Sequence, residues 1–111
     1  MIYNKLGKSN LKVSRLGFGT MRLPTINSNA DIDEIEASKM LKYGIENGIN
    51  LIDTAYPYHS KELSGNGNSE KFVGKFLKEN NYRDEIILST KFPEIPVSLE
   101  RNTEVFRHPL L

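Results

Sequence analysis

The sequence predicts an α/β fold in which parallel β-strands alternate with α-helices. Three short apolar segments begin at Leu16, Ile49 and Ile86, which are 33 and 37 residues apart, and helical patterns separate them. Alternation at this period is typical of β/α/β units on a parallel sheet with right-handed crossovers. With 111 residues, 38% hydrophobic and 26% charged, the chain fits one small domain or a piece of a larger one.

A small hairpin is predicted at the start of the chain. Residues 2–6 and 11–13 are β-prone, and the turn-forming sequence GKSN lies between them. The first strand of the sheet follows as LGFGT, residues 16–20, whose two glycines let other backbone or a ligand come close. Pro24 then ends regular strand pairing.

The first helix is predicted by apolar residues at helical spacing, after a polar segment, residues 27–33, that can supply an N-cap. These apolar residues are Ala37, Met40, Leu41, Gly44 and Ile45. Gly48 ends the helix as a C′ glycine does. Residues 49–52 follow as a strand that we expect to be buried on both faces, with Asp53 at its end.

The second helix is predicted to begin with Asn68 or Ser69 as its N-cap, and Val73, Phe76 and Leu77 form its buried stripe. The lysines on its outer side, Lys71, Lys75 and Lys78, predict a solvated face, with Lys75 and Glu79 as a weak pair. A third buried strand starts at residue 86, runs to residues 90–91 and is ended by Pro93 and Pro96.

Composition excludes several classes of function. The net charge of +1 gives no electrostatic case for nucleic acid or an anionic membrane as a partner. The absence of cysteine excludes disulfides and thiolate chemistry, and two isolated histidines do not make a metal site. No apolar segment approaches the length of a membrane span, so we expect a cytoplasmic location.

Polar side chains follow each predicted strand. Two architectures fit the alternation, a doubly wound sheet or a (β/α)₈ barrel, and in both of them ligands bind at the carboxyl ends of the strands. Gly19, Asp53 and Lys91 mark these ends, and tyrosines follow Asp53. An ammonium near a phenol favours the phenolate, and a carboxylate keeps that ammonium charged. This set suits a general acid that protonates a carbonyl oxygen while hydride arrives at carbon.

Four segments together resemble the N-terminal part of the aldo-keto reductase family. They are LGFGTMRLP, GINLIDTAYPYH, NSEKFVGKFLKE and RDEIILSTKFP, and they agree with the family in order and spacing. The resemblance covers residues 1–93, and we predict that residues 94–111 form a divergent tail of the same partial domain. It implies the N-terminal part of an NADPH-dependent (β/α)₈ TIM barrel, with the hairpin across its bottom and about three β/α units present.

The same resemblance implies roles for individual residues. Tyr58 is the proton donor to a small aldehyde or ketone, Lys91 promotes its ionisation and Asp53 supports Lys91. Gly19, Thr20, Met21 and Asp53 are implied to hold NADPH or NADP⁺. The resemblance implies no metal.

One catalytic position of the family has no match. The family has a histidine at the end of the fourth strand, whereas His108 follows Lys91 by only 17 residues. That is too few for a loop, a crossover helix and a strand, since a crossover alone takes at least about 10 to 12 residues. We therefore expect that these 111 residues by themselves are inactive as a reductase.

Other interpretations of these residues remain open. Asp53 can cap a turn, Lys91 can form a Schiff base, and the GFG sequence lacks the third glycine and the following helix of a dinucleotide fingerprint. Tyr56 and His59 are interpreted as loop packing, with substrate contact by His59 as an alternative. The alternative for the whole protein is a non-catalytic cofactor-binding or regulatory subunit on the same fold.

Overall fold

The structure of the chain, a computed structural model, describes residues 1–60 and 66–91. Within these residues the predicted order of a hairpin followed by alternating strands and helices is confirmed. The elements are β1 (Tyr3–Lys5), β2 (Lys12–Ser14), β3 (Phe18–Gly19), α1 (Glu34–Glu46), β4 (Leu51–Asp53), α2 (Asn68–Glu79) and β5 (Ile87–Ser89). β1 and β2 pair antiparallel, and β3, β4 and β5 form a parallel sheet in that order.

The hairpin is held at the amino-terminal end of the parallel sheet. The Tyr3 hydroxyl donates a hydrogen bond of 2.7 Å to the carbonyl oxygen of Gly48, in the turn between α1 and β4. Gly48 has a φ of +102°, and a Cβ atom there would lie 2.7 Å from the Cβ of Met1. Both the backbone conformation and the space therefore require glycine.

Asn50 connects the hairpin to the sheet. Its Oδ1 accepts a hydrogen bond of 2.8 Å from the N–H of Ser14, and its amide donates to the carbonyl oxygen of Lys12 at 2.9 Å. β4 begins after Asn50, two residues later than predicted. Within the described residues Ile52 is fully buried and Leu51 is half-buried, so the predicted burial of this strand on two faces is confirmed for one face only.

α1 begins and ends where the sequence indicates. Asp33 is its N-cap, and the Asp33 carboxylate accepts from the N–H of Glu36 at 3.2 Å. Leu41 is fully buried as predicted, but Met40 is 44% exposed, which corrects its placement in the buried stripe. Met40 lies beside β3, one of the two edge strands of the described sheet, and lines a shallow apolar cavity of about 300 Å³.

The N-cap of α2 differs from the prediction. Gly67 occupies this position in a left-handed conformation with a φ of +72°, and a Cβ there would lie 2.9 Å from the Tyr56 ring. Asn68 donates instead to the carbonyl oxygen of Ala30 at 3.1 Å, and Ser69 bonds to buried threonines. Neither predicted capping side chain caps the helix, because both are used in tertiary contacts.

The lysine face of α2 is exposed as predicted, but the ion pair made by Lys75 differs from the predicted pair with Glu79. The Lys75 ammonium lies 3.1 Å from the Glu34 carboxylate of α1 rather than pairing mainly with Glu79. The hydrogen bond and charge of Glu34 raise the pKa of Lys75, and the charge of Glu79 adds a smaller contribution. The pair therefore links the two helices across the surface.

A single apolar core lies between the two helices and the sheet. Its buried members are Leu23, Ala37, Leu41, Ile52, Phe72, Val73, Phe76, Leu77 and Ile86. The predicted stripe of α2 is thus confirmed and extended by Phe72. Burial of these side chains is the main favourable term that holds the helices on the sheet. Among the described residues, no helix is long and apolar enough to cross a membrane.

Replacing Leu41 with alanine is expected to lower the free energy of unfolding by about 2 to 5 kcal/mol, because it leaves a cavity in a closely packed core. Urea denaturation followed by circular dichroism measures this change. Lys42→Ala, at the exposed neighbouring position of α1, is the control and should change stability by no more than about 0.5 kcal/mol. Equal losses in the two variants would contradict the core assignment.

Candidate functional site

The carboxyl ends of the three parallel strands form a row, called here the strand-end rim, made of Gly19, Asp53 and Ser89. The strand register pairs Gly19 with Asp53 and Asp53 with Ser89. Two main-chain hydrogen bonds continue the pairing past the strands, from Thr20 to Asp53 at 3.0 Å and from Thr54 to Ser89 at 2.8 Å. This register brings together the residues that follow the strands.

Asp53 and Lys91 are directly paired at the strand-end rim. The Lys91 Nζ atom lies 2.9 Å and 2.7 Å from the two carboxylate oxygens of Asp53, and it also donates to the carbonyl oxygen of Thr54 at 3.1 Å. The Ser89 hydroxyl donates to Asp53 Oδ1 at 2.8 Å. The ammonium is therefore held by three oxygen atoms, two from the last residue of β4 and one from the residue that follows it.

This pairing moves the pKa of both groups away from neutrality. Burial by itself raises the pKa of Asp53, but the hydrogen bonds from Lys91 and Ser89 outweigh it and hold that pKa below its ordinary value of 3.8. The hydrogen bond with Asp53 raises the pKa of Lys91 above its ordinary value of 10.5 and outweighs partial burial. Both groups therefore stay charged throughout the neutral range.

Tyr58 lies next to this ion pair. The Lys91 Nζ atom is 5.2 Å from the centroid of the Tyr58 ring, within the range of a cation–π contact. A turn fixes the main chain of Tyr58, whose N–H donates to the carbonyl oxygen of Ala55 at 3.1 Å and whose carbonyl oxygen accepts from Ser69 at 3.3 Å. The structure thus brings together the three residues that the sequence analysis selected as catalytic.

Beneath the strand-end rim lies a chain of buried hydroxyl groups that the sequence analysis did not predict. The Thr20 hydroxyl is 3.0 Å from the carbonyl oxygen of Asp53 and 2.9 Å from Ser69 Oγ, which is 2.8 Å from the Thr54 hydroxyl. Because a carbonyl oxygen only accepts, Thr20 donates to it, Ser69 donates to Thr20 and Thr54 donates to Ser69. The position of both threonines directly after a strand is the only signal in the sequence.

The predicted cofactor residues differ in how accessible they are. Gly19 is exposed, and a Cβ atom added there meets no described atom within 4 Å. Met21 is 55% exposed, whereas Thr20 is fully buried and bonded through both its N–H and its hydroxyl. Thr20 is therefore placed to support Asp53 through these hydrogen bonds rather than to present an exposed group to a ligand.

The neighbours of Tyr58 have packing roles. Tyr56 is half-buried and contacts Gly67 at the start of α2. His59 is buried, with 1% of its surface exposed, and both ring nitrogens bond to main-chain atoms. Loop packing is therefore correct for His59, and substrate contact by its side chain is not.

His108, Pro93, Pro96 and residues 94–111 lie outside the described residues. Within the described part of the chain no cluster of three metal-ligating side chains occurs.

Charged and phenolic side chains lie at the carboxyl ends of the parallel strands. Proteins with such an α/β sheet bind their ligands at this edge. The chain belongs to the Aldo/keto reductase family, whose sequence model matches residues 15–106. The resemblance found in the four sequence segments is thus confirmed. The prediction of the N-terminal part of a TIM barrel is confirmed as well, because the structural neighbours are TIM-barrel aldo-keto reductases.

Individual relatives show the extent of the similarity. The chain is 34% identical over 109 residues to the aldo-keto reductase YhdN of Bacillus subtilis, covering 97% of this chain and 29% of YhdN. It is 35% identical over 92 residues to a probable voltage-gated potassium channel subunit beta of Arabidopsis thaliana, covering 82% of this chain and 25% of that protein.

A solved structure shows a similar extent of similarity. The holo form of an aldo-keto reductase from Bacillus halodurans superposes with a TM-score of 0.64 and 42% identity, covering 81% of this chain and 25% of that one. The chain therefore spans less than a third of the length of each of these three proteins.

Replacing Asp53 with asparagine is expected to lower the pKa of Lys91, because the hydrogen bond with Asp53 is the largest cause of its elevation. NMR titration of the Lys91 side chain measures this shift. The stability contributed by the raised pKa is fully present below pH 10.5 and is lost as the pH rises through the folded-state value. The variant should therefore have less of this contribution and lose less stability over that alkaline range.

Glu34→Gln is the control for this experiment. It removes a carboxylate from the separate pair with Lys75 and should leave the titration of Lys91 unchanged. An unaltered Lys91 titration in Asp53→Asn would contradict the pairing at the strand-end rim.

Proposed function

We propose that this chain forms part of an NADPH-dependent oxidoreductase that reduces aldehydes or ketones, with Tyr58 as the proton donor. The observation that carries the proposal is the Asp53 and Lys91 ion pair against the Tyr58 ring at the carboxyl ends of the strands. Membership of the Aldo/keto reductase family supports it independently, since homologues in this family are oxidoreductases.

The chain's residues fit a bound nicotinamide cofactor. The open space around Gly19 and the exposed side chain of Met21 leave room for a planar group near Asp53, while the buried Thr20 bonds to Asp53 through its N–H and its hydroxyl. We propose that Gly19, Met21 and Asp53 contact the nicotinamide half and that Thr20 contributes to this cofactor site by holding Asp53 in place. When bound, the cofactor supplies the hydride.

The mechanism proposed for the chain's own residues is a proton transfer. The Tyr58 hydroxyl donates its proton to the carbonyl oxygen of the substrate as a new C–H bond forms at the carbonyl carbon. The Lys91 ammonium, beside the ring, stabilises the phenolate that remains. Asp53 keeps Lys91 protonated and in place, because it supplies two of the three acceptors of that ammonium.

We propose that this activity needs a complete barrel. The described residues provide three parallel strands, and the chain covers only 29% of YhdN and 25% of the Bacillus halodurans enzyme. A polypeptide limited to these 111 residues is accordingly proposed to be inactive, and the experiments on activity below use the full-length protein.

A second candidate function is supported by one relative. The similarity to a probable potassium channel subunit beta favours a non-catalytic or regulatory subunit on the same fold. Such a protein keeps the cofactor residues of the strand-end rim but does not use Tyr58 in turnover.

Replacing Tyr58 with phenylalanine is expected to lower kcat for carbonyl reduction by about 10² to 10⁴, the usual contribution of a general acid. The affinity for NADPH, measured by fluorescence titration, should change little because the ring remains over Lys91. Stopped-flow measurement of NADPH oxidation with a panel of aldehydes gives the rates.

Tyr56→Phe is the matched control, since it removes a phenolic hydroxyl two residues away and should retain activity. Equal activity in the Tyr58 variant and the wild type would refute the proton-donor role. A wild-type protein that binds NADPH and reduces no carbonyl compound would favour the regulatory subunit instead.

Replacing Gly19 with alanine is expected to weaken NADPH binding at least about tenfold without destabilising the fold. The added methyl group meets no described atom, so it would intrude only on a ligand. Calorimetric titration with NADPH and thermal melting measure the two effects. Gly74→Ala is the control, because this glycine on the exposed side of α2 also has open space around it.

An unchanged affinity for NADPH in Gly19→Ala would place the cofactor elsewhere. Gly74→Ala should slightly stabilise the protein, by roughly 0.5 to 1 kcal/mol, because alanine is the better helix former.

A further inference from the structure

His59 is a buried polar side chain whose ring nitrogens are both satisfied by main-chain atoms of a single loop. The N–H of Leu23 donates to Nε2 at 3.1 Å, and Nδ1 lies 2.7 Å from the carbonyl oxygen of Asn29. An amide N–H only donates and a carbonyl oxygen only accepts, so Nε2 is unprotonated and Nδ1 carries the proton. The geometry therefore fixes a neutral imidazole in one tautomer.

The imidazole joins the two loops that carry the proposed site. Leu23 and Asn29 belong to the connection between β3 and α1, whereas His59 belongs to the connection between β4 and α2. Asn68 strengthens the same junction, because its amide donates to the carbonyl oxygens of both Ala30 and His59, at 3.1 Å and 2.8 Å.

The backbone of His59 is also unusual. Its φ of +57° lies in the left-handed region, which only a few per cent of non-glycine residues adopt. His59 ends the turn that contains Tyr58, and its ring is buried and bonded to the neighbouring loop. A constraint on His59 is therefore a constraint on the residue that precedes it.

We propose that His59 is a positioning residue that sets the distance between the cofactor side of the site and Tyr58. Met21 lies two residues before Leu23 on one side of the imidazole, and Tyr58 is adjacent to His59 on the other. This inference rests on the proposed function. Its physical basis is that the donor and the hydride site must be aligned closely, since a displacement of about 1 Å can cost 10²-fold in rate.

The wild-type protein provides the first test. In ¹⁵N NMR spectra of the full-length protein at neutral pH, His59 should show a protonated Nδ1 and an unprotonated Nε2. The opposite tautomer, or a doubly protonated ring, would overturn the proposal without any variant.

His59→Gly provides the second test, because glycine accepts the positive φ while the ring and both of its hydrogen bonds are lost. Asn81→Gly is the matched control. Asn81 has a φ of +58°, is exposed and follows α2, so this substitution introduces the same glycine effect away from the site.

Three measurements are compared in these two variants of the full-length protein. Relative to Asn81→Gly, His59→Gly should show amide exchange at Leu23 that is at least about tenfold faster, a higher KM for NADPH and a kcat that is about 10- to 100-fold lower. If the substitution only unfolded part of the protein, it would reduce the active fraction, and so the apparent kcat, without raising the KM for NADPH.

Other results of these measurements would contradict the positioning role of His59. Leu23 exchange equal to that of the control, or a kcat within twofold of the control, would overturn the proposal. If His59→Gly does not fold, His59→Asn is used, since asparagine tolerates this φ, and it should show the same three changes to a smaller extent. An absence of carbonyl reduction in the wild type would refute the proposed function alone, because tautomer and exchange are measured without turnover.

Discussion

The parallel register of β3, β4 and β5 is the constraint on which the site depends. It aligns Gly19, Asp53 and Ser89 in one row, and the bonds from Thr20 and Thr54 extend this alignment past the strands. A shift of one residue would turn every strand side chain to the other face. The core on one face, centred on the fully buried Ile52, makes such a shift costly and so holds the site in place.

The ion pair of Asp53 and Lys91 is better suited to setting charge than to adding stability. Their side chains remain 38% and 50% exposed, and pairs at such positions contribute little to the free energy of unfolding because water and salt screen them. The opposite displacements of the two pKa values have a different effect: they keep an ammonium beside a phenol across the neutral range. The packing beneath supplies the stability.

Next to the strand-end rim lies a layer of buried polar side chains, each of which has a hydrogen-bond partner. The hydroxyls of Thr20, Ser69 and Thr54 form one part of it, and the imidazole of His59 forms another. Among the described residues no buried side-chain nitrogen or oxygen lacks a hydrogen bond. Such fully satisfied networks restrict the geometry of the groups above them, because any displacement leaves a buried donor or acceptor unpaired.

The sequence by itself determined the order of elements, the buried stripe of α2 and the grouping of Asp53, Tyr58 and Lys91, because periodicity and the end of a strand are local properties. Only the tertiary structure decided the roles of Ser69 and His59. A serine before a helix looks like a cap, and the sequence left His59 open between loop packing and substrate contact. Their partners lie up to 49 residues away in the chain, and only packing brings these atoms together.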